Sequence, residues 1–167
     1  MNTEGVIDFQ ISLEERISRV YREIADQSPE DTEWAALWRE LSADEGKHAS
    51  LLAIEKMFLQ NGTRFKRPIE IDPEVEKALN GLLSNCERRV RSGMTQKDAV
   101  EILAALEASE VNKLFSTILK ATDSKVLSRL ADSSRAHLEH DRHIQAAMER
   151  YGGSEHPVTA EMNGQDE

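Results

Sequence analysis

Two metal-binding side chain types interrupt an apolar helical stripe in the first third of the chain. Glu45 and His48 stand three residues apart, where two more apolar side chains are expected, so they share one helix face. A carboxylate and an imidazole that face a core are unfavourable unless they are paired, protonated or bound to a metal. The stripe itself runs Trp34, Leu37, Trp38, Leu41, then Leu51, Leu52 and Phe58.

Matching polar groups stand near the middle of each of the other long helical patterns. These are Glu14 in the first, Glu107 and Glu110 in the third, and His137, His140 and His143 in the fourth. Four buried carboxylates repel one another, and two divalent cations would balance their charge. Because carboxylate and imidazole are ligand types for iron, manganese and zinc, the joint pattern predicts a metal site. For any one of these residues alone, a position on a solvated face is the simpler interpretation.

Four long helices and one shorter helix are predicted to position these groups. Their expected ranges are about 12–27, 29–61, 73–91, 96–121 and 125–151. The predicted starts are a capping box of Ser12 with Glu15, Ser28 before Pro29, Asp72 before Pro73, and Thr95 with Asp98. Glycines at 62 and 93 predict two of the ends.

The connection lengths predict the topology of these helices. Very short turns make two antiparallel hairpins, and residues 62–94 form a long crossover that contains the short extra helix. Two antiparallel hairpins joined by one crossover are an all-α, ferritin-like four-helix bundle. We expect this domain to cover residues 1–153, followed by a mobile acidic tail over 154–167.

Composition agrees with a helical protein and limits its partners. Of the 167 residues, 31% are charged and only 5% are aromatic, which favours an all-α class. The net charge of −10 argues against nucleic acid or an anionic membrane as a partner. A single cysteine, Cys86, excludes an internal disulfide framework and a CxxC metal knuckle. With no transmembrane run and no secretory signal, a cytoplasmic location is expected.

Over residues 10–61 and 96–152 the chain resembles the rubrerythrin-like branch of the ferritin-like superfamily. Glu14 followed by Tyr21 is similar to the family's first-helix motif, and Glu45 with His48 to its second-helix Glu-x-x-His. The Glu107–Glu110 pair is similar to the pair that marks the third helix. The resemblance implies these ligands and two iron ions, with zinc or manganese as alternatives. It also makes Tyr21 a candidate catalytic residue beside the metals; otherwise Tyr21 is a core tyrosine bonded to a carboxylate.

The fourth helix departs from that family pattern. The family's second Glu-x-x-His falls on His140 and His143, or one turn earlier on His137 and His140. Either way, a histidine replaces a carboxylate that bridges the two metals in the family. Since imidazole binds one metal through one nitrogen, we expect one bridge to be lost.

Three functions follow as expectations. The resemblance implies a di-iron oxidoreductase that acts on peroxide or dioxygen, as a homodimer. The chain lacks the CxxC pairs of a rubredoxin-like domain, so a separate electron donor would be needed. The alternatives are a non-catalytic protein that binds or handles iron, zinc or manganese, and a purely structural helical module with a polar core layer.

Overall fold

Five helices make up most of the part of the chain that the structure describes. The structure is a computed structural model that describes residues 1–27, 29–62, 65–109, 111–121, 142, 144–146 and 148–149. The helices are α1 (Thr3–Asp26), α2 (Thr32–Gln60), α3 (Pro73–Arg91), α4 (Gln96–Glu107) and α5 (Val111–Ala121). No β-strand occurs within those ranges, so the predicted all-α class is confirmed. None of the helices described there has both the length and the apolar character needed to cross a bilayer.

Several predicted helix boundaries are confirmed by capping chemistry. Asp72 is the N-cap of α3. At the start of α4, the Asp98 backbone N–H donates to Thr95 Oγ1 at 3.2 Å, and the Thr95 backbone N–H donates to Asp98 Oδ2 at 2.9 Å. Gly62 and Gly93 follow α2 and α3 with φ of 94° and 83°, a left-handed conformation that glycine adopts without steric cost.

The predicted start of α1 at Ser12 is wrong. The helix begins much earlier, where the Asn2 side chain accepts a hydrogen bond from the Gly5 backbone N–H at 2.8 Å. Val6 and Ile7 are fully buried, so the apolar stripe of α1 extends towards the N-terminus beyond the supposed cap. Ser12 is an exposed residue within the helix.

The predicted start of α2 at Pro29 is also wrong. The N-cap of α2 is Asp31, whose carboxylate accepts a hydrogen bond from the Trp34 backbone N–H at 3.1 Å. Pro29 therefore lies in the turn before the helix. Ser28, the predicted cap, lies outside the described residues.

The single helix predicted over 96–121 is divided into α4 and α5. Ser109 bonds to the backbone on both sides of the break: its hydroxyl donates to the Leu106 carbonyl at 2.5 Å and accepts from the Val111 backbone N–H at 3.3 Å. A serine that bonds nearby backbone competes with the helical hydrogen-bond pattern. Glu107 is the last residue of α4.

The helices α1 and α2 form the antiparallel hairpin that the short connection predicted. Ser18 Oγ donates to the Ser42 carbonyl at 2.8 Å in the interior of the pair. Nearer the start of α1 and the end of α2, Lys56 Nζ lies 2.7 Å from Asp8 Oδ1. Residue numbers thus rise along one helix as they fall along the other, which places Glu14 opposite the middle of α2.

The crossover helix α3 packs against α1 through one arginine. Arg16 Nε donates to Glu87 Oε1 at 2.8 Å, and its Nη1 donates to Asn80 Oδ1 at 2.9 Å. These bonds fix α3 to the outside of the hairpin without using any of the candidate ligands.

Residues of the predicted fourth helix are described only in part. Positions 142, 144–146 and 148–149 are helical, and the half-buried Ile144 and Met148 pack against the core. The rest of 122–151 and the tail at 154–167 lie outside the described residues. The four-helix arrangement, the domain boundary and the tail therefore remain predictions.

The described core consists of two hydrophobic clusters with a polar layer between them. The first cluster includes Leu13, Tyr21, Trp38, Leu41, Leu103 and Val111. The second includes Ile7, Leu52, Ile69, Phe115 and Ile118. Buried polar residues lie where the two clusters meet along α1 and α2, among them Gln10 and Glu14 on α1 and Glu45 and His48 on α2. This polar layer is the candidate site.

Candidate metal centre

Three predicted metal ligands meet inside the polar layer. Glu14 comes from α1, and Glu45 and His48 come from adjacent turns of α2. Their exposed fractions are only 0%, 2% and 6%. One potential ligand atom from each residue lies within 4.8 Å of the other two. Such a group can hold a metal ion.

The imidazole lies between the two carboxylates. His48 Nδ1 is 2.9 Å from Glu45 Oε2 and 3.8 Å from Glu14 Oε2. The shorter contact follows from the three-residue spacing on α2. The longer contact depends on the register of the α1–α2 hairpin. Nδ1 is thus the nitrogen of His48 that faces both carboxylates.

The two oxygens of Glu14 have different surroundings. Oε1 accepts a hydrogen bond from Gln10 Nε2 at 2.6 Å. Oε2 is buried and has no hydrogen-bond partner within the described ranges. The charged neighbour of Oε2 is the His48 imidazole, whose Nδ1 lies 3.8 Å away, so this oxygen faces the same space as the other potential ligand atoms.

Burial and nearby charges raise the pKa values of Glu45 and His48, the two candidate ligands on α2. Burial raises the pKa of Glu45 from 4.5 to about 8, against the hydrogen bond with His48. Burial alone would lower the pKa of His48, but the carboxylates of Glu14 and Glu45 outweigh it and raise that pKa from 6.5 to about 10. The metal-free cluster therefore holds protons at neutral pH where a cation could replace them.

Glu107 and Tyr21 lie beside the cluster rather than within it. The Tyr21 hydroxyl donates to Glu107 Oε1 at 3.5 Å, and Asn112 Nδ2 donates to Glu107 Oε2 at 2.8 Å. Burial, and then the charges of Glu45 and Glu107, raise the pKa of Tyr21 well above its ordinary value of 10.0. Tyr21 is therefore a neutral hydrogen-bond donor at the edge of the polar layer, as expected for a core tyrosine bonded to a carboxylate.

The other predicted ligands fall outside the described residues. They are Glu110, His137, His140 and His143. Their metal-binding roles, and the choice between the two histidine pairs, remain predictions.

Two buried polar residues of this region were missed by sequence reasoning. Gln10 and Glu55 have exposed fractions of 0%. Gln10 precedes Glu14 by four residues, and Glu55 follows His48 by seven, so helical spacing places each on a ligand-bearing face. That spacing could have indicated that both residues are buried. Gln10 was not considered because glutamine is not a usual metal ligand, and Glu55 was not considered because it lies among other charged residues in the sequence.

The aromatic side chain of Phe115 closes one side of the cluster. Its ring centroid lies 4.5 Å from that of His48, and Phe115 is itself only 4% exposed. An apolar cover of this kind excludes water, which strengthens the electrostatic interactions inside the site.

Comparisons with protein-family models, with curated proteins and with solved structures gave no match, so the resemblance to rubrerythrins rests on the residue patterns alone.

Proposed function

We propose that this protein binds a divalent transition-metal ion through Glu14, Glu45 and His48. The observation that carries the proposal is the convergence of these three buried side chains to within 4.8 Å of one another. Two carboxylates and an imidazole are unfavourable in an apolar interior unless a positive charge accompanies them. A divalent ion would satisfy all three at once.

The donor set fits iron, manganese or zinc better than a soft metal. Oxygen and imidazole nitrogen ligands suit these ions, whereas soft metals select thiolates. The one thiol of the chain, Cys86, is buried in the first hydrophobic cluster instead. Glu14 Oε2 is a further point of fit, because it accepts no hydrogen bond within the described ranges and faces His48 Nδ1 at 3.8 Å, where a cation could lie between them.

Each residue has a distinct part in this proposal. Glu14 and Glu45 supply negative charge from facing helices, and His48 supplies a neutral nitrogen once its Nδ1 proton leaves. A bound ion would act there as a Lewis acid or, for iron and manganese, as a redox centre. Phe115 keeps solvent away from the imidazole.

The test measures the affinity of purified, chelator-treated protein for Zn²⁺ and Mn²⁺, and for Fe²⁺ without oxygen. We expect at least one ion to bind with a stoichiometry near one or two. Glu45→Gln keeps the size of the side chain but removes the charge, so it should weaken binding by about 100-fold, which is about 2.7 kcal/mol.

Glu87→Gln is the matched control, because it removes a carboxylate that bonds to Arg16 on the outside of the hairpin. This variant should bind metal as the wild type does. Absence of binding by the wild type, or equal affinities for Glu45→Gln and wild type, would contradict the proposal.

A redox activity on peroxide or dioxygen is the second candidate, and Tyr21 is the observation that favours it. Its ring lies 5.4 Å from that of Trp38, which lies 5.3 Å from that of Trp34. Oxidisable rings beside a metal centre suit a protein that handles reactive oxygen. The sequence has one cysteine and so holds no CxxC pair, and this candidate therefore includes a separate electron donor.

The redox candidate is tested with Fe²⁺-loaded protein mixed anaerobically with hydrogen peroxide. Stoichiometric oxidation of the iron, with an absorption band of oxo-bridged iron, would support it. If iron binds but is oxidised no faster than free Fe²⁺, the protein binds or handles metal without catalysis.

We infer that the helices are arranged as a ferritin-like four-helix bundle. The α1–α2 hairpin, the crossover helix α3 and the helical residues around Ile144 support this arrangement. An experimental structure with metal present would test it and would show whether the histidines of 137–143 complete a second ion's ligands.

A further inference from the structure

Gln10 is buried next to the candidate metal ligand Glu14 and is not itself a usual ligand. Its side chain is fully buried on α1, one helical turn before Glu14. Gln10 Nε2 donates to Glu14 Oε1 at 2.6 Å and to the Val111 carbonyl at 3.2 Å. Both donors of the amide are therefore used, one on a carboxylate and one on the first residue of α5.

We propose that Gln10 is a positioning residue that makes Glu14 a one-oxygen metal ligand; this rests on the metal-binding function proposed above. The bond from Gln10 uses a lone pair of Oε1 and restricts the orientation of the carboxylate. Oε2 is left towards His48 without any donor in the described part of the chain. Partners of this kind orient ligands and raise metal affinity.

The same amide connects the site to the break between α4 and α5. Val111 has its carbonyl bonded by Gln10, and Phe115, one turn later on α5, packs on His48. α5 therefore contacts one candidate ligand directly, His48 through the ring of Phe115, and reaches Glu14 only through the amide of Gln10. Without Gln10, Glu14 would lose the hydrogen bond that connects it through the amide to α5, and the orientation of its carboxylate would be less restricted.

The experiment compares Gln10→Met with wild type, using Co²⁺ and Zn²⁺ as probes. Methionine has nearly the same length but donates no hydrogen bond. We expect the affinity for both ions to fall about 10- to 100-fold. The visible absorption bands of bound Co²⁺ should also change, because the oxygen that Glu14 offers is no longer fixed.

Gln27→Met is the matched control, since Gln27 Nε2 also donates to a backbone carbonyl, that of Val90, at 2.6 Å. This bond lies far from the candidate ligands along α1. The control should leave metal affinity and the Co²⁺ spectrum unchanged, even where it lowers stability as much as Gln10→Met does.

The outcomes separate this inference from the proposed function. If wild type binds neither ion, the metal-binding function and this inference both fail. If wild type binds and Gln10→Met binds equally well with the same Co²⁺ spectrum, only the role of Gln10 is refuted. If Gln10→Met does not fold, NMR of the wild type decides: Zn²⁺ should shift the side-chain amide resonances of Gln10 and not those of Gln27, and the absence of that difference refutes the inference.

Discussion

At the scale of single residues, the centre consists of groups whose charge states depend on one another. His48 remains protonated only because Glu14 and Glu45 stand beside it, and burial keeps a proton on Glu45. These protons lie between Glu14, Glu45 and His48, where a cation would bind. Metal and proton therefore compete for the same atoms, and metal binding should release protons.

The stability of the metal-free protein should fall as the pH rises from about 5 to about 10. Both pKa values are raised in the folded state, from 4.5 to about 8 for Glu45 and from 6.5 to about 10 for His48. A raised pKa adds stability that is complete below the unfolded value and is lost as pH rises through the folded value. In the presence of a chelator, the free energy of unfolding should therefore decrease between about pH 5 and 10. Urea denaturation at several pH values measures it.

The double variant Glu45→Gln/His48→Gln is the control for this pH dependence, because it lacks both titrations. Its free energy of unfolding should vary less with pH across the same interval. A wild type that gains stability from pH 6 to pH 9 would show that the sign of the shifts is wrong.

At this scale, the sequence predicted contacts between residues that are close together in the chain better than contacts between distant ones. Glu45 and His48 are three apart on one helix, so their contact follows from local geometry. The contact of Glu14 with these two residues depends on the register of α1 against α2. The inward apolar stripe indicated that Glu14 faces the core, but it did not determine this register. Gln10 was missed because its role depends on a bond to α5 that only the folded chain brings near.

At the scale of elements, capping residues mark where the helices begin, but the same capping pattern can occur both at a helix start and inside a helix. Ser12 with Glu15 matches a capping box but lies inside α1 because buried residues precede it. Thr95 with Asp98 matches the same pattern and is the cap of α4. The difference lies in the packing of the residues before the motif, which a local pattern does not contain.

Substitutions at a true and a false cap should have opposite effects. Asp31→Ala removes the acceptor for the Trp34 backbone N–H, so it should lower the free energy of unfolding by about 1 kcal/mol. Ser12→Ala replaces an exposed serine within a helix by the best helix former and should raise it by up to about 0.5 kcal/mol. Chemical denaturation of both variants measures the difference. A loss at Ser12 as large as that at Asp31 would restore the predicted start of α1.

The break between α4 and α5 lies beside the candidate site. Periodicity alone predicted one helix through Glu107 and Glu110, because both fit the inward stripe. Ser109 bonds the Leu106 carbonyl at the break, and Gln10 bonds the Val111 carbonyl at the start of α5. The interruption lies at the level of the polar layer, where a tertiary contact replaces a purely helical pattern.

At the scale of the whole molecule, the polar layer divides the described core into two hydrophobic clusters. Such a layer lowers stability unless its charges are balanced, since each buried carboxylate loses its hydration. The net charge of −10 adds a general attraction for cations. The fold is therefore expected to be less stable without metal than with it.

Metal should raise the melting temperature of the whole protein, because the folded state alone brings the ligands together. At a free Zn²⁺ concentration of 100 times Kd, the stabilisation is about 2.7 kcal/mol. For a chain of 167 residues this corresponds to about 5–10 °C. Calorimetry with Zn²⁺ and with chelator measures the shift, and Glu45→Gln at the same Zn²⁺ concentration should show almost none. Equal melting temperatures with and without Zn²⁺ for the wild type would instead support a structural polar layer, in which protons alone balance the charge of Glu14 and Glu45.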